Sequence, residues 1–150
     1  MIMVFKKKGL NLGLTVLELF IIVAIAAIAL LVIKVSATDL QTRYRDSVRI
    51  SHINEISKAL GVYRDQNQKY PIMPVETIIS GIDDLSVTLK NEFTLKTALV
   101  DPLYPSYAYT YMTDANGADY VLTFCLEKKN DNGYKIGCGN AVKPNNILEE

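Results

Sequence analysis

One acidic side chain stands in the most apolar part of the chain and is the first candidate for chemistry. Glu18 is the only charged residue between Leu14 and Ile33. A carboxylate in a membrane-spanning helix costs about 2.5–3.5 kcal/mol at the bilayer centre and less near the interface. A helix that only tethers a domain gives nothing that offsets this cost, so Glu18 needs another explanation.

Two cysteines, Cys125 and Cys138, follow the apolar run. An even cysteine count after such a run is typical of an oxidising compartment and one disulfide bond. The sequence contains no CxxC, HExxH or Cys/His cluster, so we expect no metal centre of those kinds. The lone histidine, His52, lies in a polar stretch, and we predict that it is a surface residue.

Three oxygen-bearing side chains, Asp114, Asn116 and Asp119, lie close together in the sequence and have the chemistry that calcium prefers. The same residue types form hairpin turns without any metal, so both interpretations stay open. We expect no other cofactor. We also expect no enzymatic activity, because no nucleophile lies at motif spacing from a base. The tyrosine-rich segment 107–111 lacks interleaved basic residues, so we expect no nucleic-acid binding.

The elements that position these residues begin with a long helix. Residues 14–34 supply about the 20 apolar residues that a transmembrane helix needs. Residues 35–70 are amphipathic, and no proline interrupts them. We predict one continuous helix that ends near residues 65–68, because Pro71 disfavours helix in the residue before it. Its apolar stripe, predicted to pack against the chain's own domain, comprises Leu40, Tyr44, Ile53, Ile56, Leu60 and Tyr63.

The rest of the chain, residues 71–150, is predicted to be a small β region. Residues 75–79 and 91–99 are predicted to form short helices or turns. Three strands near residues 107–111, 120–127 and 134–138 are predicted to be joined by turns at 114–117 and 130–133. The fold class is therefore α+β, with a long N-terminal helix packed on a small antiparallel sheet of about three strands.

Alternation along the strand 120–127 predicts which side chains face the helix. Tyr120, Leu122, Phe124 and Leu126 share one face, and Cys125 lies on the other. A second turn centred between residues 131 and 132 would place Cys125 directly opposite Cys138. Such pairs approach closely enough for a disulfide bond, which we predict.

Three explanations compete for the first 33 residues. A secretory signal peptide would combine the basic segment 6–8 with a cleavage site at 27–29 or 35–37, but Glu18 lies inside its apolar core. A plain signal anchor accounts for the apolar run but not for Glu18.

The third explanation depends on the segment Gly13-Leu14-Thr15-Val16-Leu17-Glu18. This segment resembles the class III signal of type IV pilins and type II secretion pseudopilins. In that family a glycine precedes the cleavage site, and the fifth residue after it is a glutamate. Glu18 is the fifth residue after Gly13, whereas the fifth residue after Gly9 is Leu14, so the spacing selects Gly13. A helix that runs into Tyr70-Pro71 is similar to a second signature of the family.

The resemblance implies a set of site residues and domains. A prepilin peptidase would cut between Gly13 and Leu14, removing the leader 1–13, and the new amine of Leu14 would be N-methylated. Residues 14–34 would form a transmembrane and polymerisation helix, and the amphipathic part 35–70 would continue it into a head domain. In a filament, Glu18 would pair with the Leu14 amine of a neighbouring subunit.

The resemblance also implies a location and partners. The chain would cross the cytoplasmic membrane once, with its C-terminal domain outside, and would then enter an extracytoplasmic filament. Its partners would be copies of itself, related minor pilins or pseudopilins, the prepilin peptidase, the inner-membrane assembly platform and, before assembly, the lipid bilayer. The alternative is a membrane-tethered exported binding domain that does not polymerise.

Overall fold

The computed structural model describes residues 15–92, 95–128 and 133–144. The chain divides into two compact units, Met1–Asp39 and Leu40–Glu150. One helix, α1 (Val16–Asn67), begins in the first unit and ends in the second, which confirms the predicted continuous helix. It ends where Gln68 adopts a φ of 61° and donates its backbone N–H to the Arg64 carbonyl at 2.7 Å. A left-handed residue at this position is a common helix stop.

Within the described ranges, no helix carries an apolar stretch of the length that crossing a membrane requires.

The second unit contains one antiparallel sheet of four strands in the order β1-β2-β3-β4. The strands are β1 (Thr77–Ile79), β2 (Tyr109–Thr113), β3 (Tyr120–Leu126) and β4 (Gly137–Val142). The prediction of about three strands is therefore wrong, since residues 75–79 supply a strand and not a helix or turn. A strand of three residues carries too little alternation to be distinguished in the sequence.

A short helix, α2 (Asp84–Asn91), follows β1. It lies before the segment 91–99 that we predicted as a helix or turn. Its start depends on Asp83, whose carboxylate accepts the backbone N–H of Ser86 at 3.0 Å and that of Ser80 at 2.8 Å. An aspartate in this position is a strong helix N-cap, and it is the signal that the sequence prediction missed.

The turn at 114–117 joins β2 and β3 as predicted. Gly117 has a φ of 67°, and a Cβ at this position would lie 2.7 Å from the Tyr70 carbonyl oxygen. The turn is therefore packed against the segment after α1, and the Tyr70 N–H donates to the Gly117 carbonyl at 2.8 Å. The predicted turn at 130–133 lies outside the described residues, except for Gly133.

The core of the second unit lies between α1 and the sheet. The α1 side chains Ile53, Ile56 and Leu60 are buried, as predicted. The four β3 side chains predicted to face the helix are buried with them: Tyr120, Leu122, Phe124 and Leu126.

The prediction is wrong for the first two members of the apolar stripe. Leu40 and Tyr44 are 67% and 70% exposed. A helix turns by about 100° per residue, so the nine residues between Tyr44 and Ile53 place them on opposite faces. Arg49 follows Leu40 by nine residues, so it lies on the opposite face of α1, and it is buried.

Candidate functional site

Glu18 forms a reciprocal pair of hydrogen bonds with Thr15 at the start of α1. The backbone N–H of Thr15 donates to Glu18 Oε2 at 3.1 Å, and the Thr15 hydroxyl donates to the same oxygen at 3.2 Å. The backbone N–H of Glu18 lies 3.2 Å from Thr15 Oγ1 and donates to it. This arrangement is a capping box, in which two residues three apart satisfy each other's backbone donors.

The capping box gives Glu18 a local role that our sequence interpretation missed. A threonine followed three residues later by a glutamate, just before an apolar run, is the sequence signal for it. A carboxylate in the first helical turn also interacts favourably with the positive end of the helix dipole. Glu18 is thus stabilised within its own chain.

The part of α1 that follows Glu18 is apolar on every face as far as Ile33. Its large apolar side chains from Val16 to Ile33, where described, are between 50% and 72% exposed. Gly13 and Leu14, the predicted cleavage and methylation residues, lie outside the described residues.

The two cysteines form the predicted disulfide bond. Cys125 pairs with Cys138 across β3 and β4, with an S–S distance of 2.01 Å. The bond closes a segment that contains the end of β3 and the residues leading to β4.

A buried cluster of charged residues was not predicted from the sequence. Arg49 has a fully buried side chain. Its Nε donates to Asp101 Oδ2 at 2.8 Å, and its Nη1 donates to Asp46 Oδ1 at 2.7 Å and to Glu127 Oε1 at 2.6 Å. Arg45 binds the same Glu127 carboxylate with two donors, at 2.8 and 2.6 Å. Two arginines of α1 therefore hold three carboxylates from different parts of the second unit.

These contacts shift the pKa values of the cluster. Burial alone would lower the pKa of Arg49, but the hydrogen bonds that Arg49 donates to Asp101, Glu127 and Asp46 outweigh burial and raise it. The hydrogen bond from Arg45 and the contacts with Arg49 lower the pKa of Glu127 to about 2. The polar groups of the cluster satisfy one another's hydrogen-bonding capacity.

The cluster joins two chain segments to α1, residues 127–128 and the loop 101–107. Asp46 accepts the backbone N–H groups of Glu127 and Lys128 at 3.0 and 2.8 Å, where the chain leaves β3. Asp101 accepts the N–H of Leu103, and the Arg49 guanidinium lies 4.9 Å from the ring centre of Tyr107. Each member has a structural partner, so we assign the cluster a role in stability.

Asp114, one of the three calcium candidates, has a role in the turn between β2 and β3. Asp114 Oδ1 accepts the backbone N–H groups of Ala118 and Asp119 at 2.7 and 3.0 Å, which closes the turn between β2 and β3. Asp114 and Asp119 line a pocket of about 250 Å³ together with Lys143, whereas Asn116 is not part of its lining. Among the described residues, no group of three or more His, Cys, Asp or Glu side chains is placed to hold a metal ion.

The prediction for His52 is wrong. Its ring is half-buried, and Nδ1 lies 3.2 Å from the hydroxyl of Tyr109, itself a core residue. Burial lowers the pKa of His52, although the charge of Glu55 opposes the shift. His52 lies one residue before the buried Ile53, which accounts for its position at the edge of the core.

The structure thus brings together one predicted pair, Cys125 with Cys138, and it pairs Glu18 with Thr15, which was not predicted. The resemblance to pilins depends on the sequence segments quoted above. No protein-family model, no curated protein and no solved structure matches this chain.

Proposed function

We propose that this chain is a structural subunit, of pilin or major pseudopilin type, of a type IV pilus or type II secretion-like filament. The observation that carries the proposal is the spacing of Glu18 from Gly13, at the start of an apolar helix. Residues 14–34 would lie in the cytoplasmic membrane before assembly, with the second unit outside. The prepilin peptidase and the assembly platform would then act on the chain in turn.

The exposed apolar surface of α1 in the first unit supports this proposal. A helix that is apolar on all faces is stable only where lipid or other helices cover it. Among the residues that the structure describes, every member of the buried core belongs to the second unit. Packing against the same helix of neighbouring copies would cover this surface once the subunit leaves the bilayer.

Glu18 would set the register of that packing. Cleavage after Gly13 gives Leu14 a charged amine, and a neighbour's Glu18 could pair with it. Apolar contacts alone would set the register poorly, because the segment from Leu19 to Ile33 is nearly uniform along its length. The charge pair would favour subunit addition at one axial position.

The tethered-domain alternative gains support from the capping box. Because Thr15 already stabilises Glu18, the cost of the carboxylate no longer separates a filament subunit from a tether. The charge of Glu18 still distinguishes a filament subunit from a tethered domain. A capping box does not need this charge, since it accepts glutamine as well as glutamate. A partner's amine, in contrast, is attracted by the charged form.

The test compares Glu18→Gln with Glu18→Leu in the native host. Tagged mutant chains are co-expressed with the wild type, and sheared filaments are isolated. We expect both variants to be inserted and cleaved, and both to be lost from filaments, because Gln retains the cap but not the charge. Loss of Glu18→Leu alone would assign Glu18 to the cap, and equal incorporation of both variants would favour the tethered domain.

Processing provides a second test of the proposal. Intact-mass analysis of the chain from its native host should show a mature form that begins at Leu14 and carries one N-methyl group. A mature chain that begins at Ser36 or Thr38 would support a secretory signal peptide, and one that retains Met1 would support a plain anchor.

A further inference from the structure

One buried polar group on α1 lacks a hydrogen-bond partner. Among the described residues, the hydroxyl oxygen of Ser57 is the buried side-chain oxygen that pairs with nothing. A serine inside a helix commonly donates to the carbonyl four residues earlier, and Ser57 does not, although it lies well inside α1. Buried polar groups in folded proteins are almost always paired, so this hydroxyl needs an explanation.

Ser57 lines a pocket of about 320 Å³, which we call the Ser57 pocket. Its other lining residues are Asn54, Lys58, Tyr120 and Pro144. Ser57 and Lys58 follow Asn54 by three and four residues, so the three share one face of α1. Tyr120 begins β3, and Pro144 follows the end of β4. All these residues belong to the second unit, and the pocket has the size of a small-molecule site.

The Tyr120 ring is held in place by two other tyrosines. Its centre lies 4.8 Å from that of Tyr70, in an edge-to-face contact, and 5.9 Å from that of Tyr111. Burial raises the pKa of Tyr120, so its hydroxyl keeps its proton and can donate. Ser57 opposes this rise in pKa, but the two hydroxyls do not meet in hydrogen-bonding geometry. Both hydroxyls can therefore donate to one acceptor at the inner wall of the pocket, Ser57 after rotation about its χ1.

The lining of the Ser57 pocket combines hydrogen-bond donors with one positive charge. Lys58 carries the charge, and its lining neighbours contribute an amide and two hydroxyl groups. None of the described residues that line the pocket is acidic. A cation would be repelled by Lys58, and a neutral sugar would leave its charge unused. An oxyanion accepts hydrogen bonds from every one of these groups, and hydrogen bonds to a charged acceptor are the stronger ones.

We propose that the Ser57 pocket binds a small oxyanion, in the form of a carboxylate or a phosphate group. Lys58 supplies the charge, Asn54 and Tyr120 donate hydrogen bonds, and Ser57 gains the partner that it lacks. This inference goes beyond the proposed function and does not depend on it, because every lining residue lies in the second unit. The pocket would let this unit recognise acidic molecules whether or not the chain polymerises.

The experiment is an NMR titration of the full isotope-labelled chain in mild nonionic detergent at neutral pH. One arm adds inorganic phosphate and the other adds acetate, with the ionic strength held constant by sodium chloride. We expect the backbone amide signals of Asn54, Ser57, Lys58 and Tyr120 to shift along a saturable curve, with a Kd of about 1 mM or tighter in at least one arm. Tighter binding of phosphate would identify a phosphate site, and tighter binding of acetate a carboxylate site.

Single variants test the role of each donor. Lys58→Gln should weaken binding at least about tenfold, because it removes the charge that the anion pairs with. Ser57→Ala and Tyr120→Phe should each weaken binding several-fold. Lys96→Gln is the matched control, since Lys96 is an exposed lysine of the second unit that does not line the pocket, and it should leave the Kd unchanged. Amide signals far from the pocket should coincide with those of the wild type, which shows that each variant is folded.

The outcomes decide the proposal without reference to filaments. Shifts that rise linearly with both anions, or that fall equally in Lys58→Gln and Lys96→Gln, would overturn it, since they would reflect unspecific attraction to surface charge. Saturable binding that Ser57→Ala leaves unchanged would also overturn it, because the unpaired hydroxyl would then have another cause. Failure of anion binding leaves the proposed function intact, and absence of filaments leaves the pocket intact.

Discussion

Replacing Arg49 with methionine should destabilise the second unit strongly. The substitution retains a long unbranched side chain but removes the guanidinium that contacts Asp46, Asp101 and Glu127. The Asp101 and Asp46 side chains are 0% and 7% exposed, so both carboxylates would remain buried without this cation. Glu127 would still be held by Arg45.

The expected magnitude follows from burial. Removing one partner of a buried ion pair costs about 3–5 kcal/mol, whereas an exposed pair contributes about 0–1 kcal/mol. A domain of this size has a free energy of unfolding of about 5–15 kcal/mol, so the loss is a large fraction of it. Asp101→Asn in the Arg49→Met background should recover at least about 1 kcal/mol, because it removes one of the two uncompensated charges.

The assay is urea unfolding of the full chain in mild detergent, followed by near-ultraviolet circular dichroism. The buried tyrosines of the sheet, Tyr109, Tyr111 and Tyr120, report on the second unit. Arg64→Met is the control, since Arg64 is exposed and its guanidinium lies 5.3 Å from the ring centre of Tyr70. We expect it to cost about 0.5–1 kcal/mol. An equally small cost for Arg49→Met would refute the assignment of the cluster to stability.

Three further predictions concern the second unit. The pKa of Glu127 in the folded chain, about 2, lies below its ordinary value of 4.5, so its contribution to stability is present above about pH 4.5 and is lost as the pH falls toward 2. Glu127→Gln should therefore lower the free energy of unfolding by up to about 3 kcal/mol at pH 7 and make it depend less on pH below 4.5. Equal pH dependence of the free energy of unfolding in the wild type and the variant would contradict this. Gly117→Ala should lower the free energy of unfolding by more than about 1 kcal/mol, because Gly117 has a positive φ and lies close to a carbonyl oxygen. Gly61→Ala should raise it by about 0.5–1 kcal/mol, because no atom lies within 4 Å of the added Cβ, and chemical unfolding measures both changes. Alkylation without reduction should label neither Cys125 nor Cys138. Cys125→Ser should lower the free energy of unfolding by about 3 kcal/mol, since the disulfide bond closes a loop with a sequence separation of 13. Free thiols in chains taken from the cell envelope would contradict both the pairing and the oxidising compartment.

The sequence predicted correctly those helices and strands that are marked by a long or repeated pattern of residues. The helix α1 was predictable because no proline interrupts it and because Pro71 lies just beyond its end. The β2–β3 hairpin was predictable from its Asn-Gly turn and from the alternation along β3. The disulfide followed from the register of β3 and β4, although β4 itself begins later than predicted.

The sequence prediction failed where a residue's role depends on distant contacts. Arg49 lies four residues before Ile53 and seven before Ile56, on the buried face of α1, although arginine is ordinarily a surface residue. An arginine at core spacing indicates buried carboxylates elsewhere, but nothing local in the sequence identifies Asp101 and Glu127 as those partners. Leu40 and Tyr44 were assigned to the core because they are apolar, although their angular position on the helix excludes it.

The two units are stabilised in different ways, and this difference bears on function. The second unit has a buried core, a disulfide bond and a charged cluster that joins α1 to the sheet and its loops. The described part of the first unit has a capping box and a helix whose large apolar side chains are at least half exposed. Most helical stability in proteins comes from packing of an apolar face and not from intrinsic propensity. In the filament that we propose, lipid and then neighbouring copies would cover these side chains, and Glu18, the one charged residue between Leu14 and Ile33, would make that packing specific.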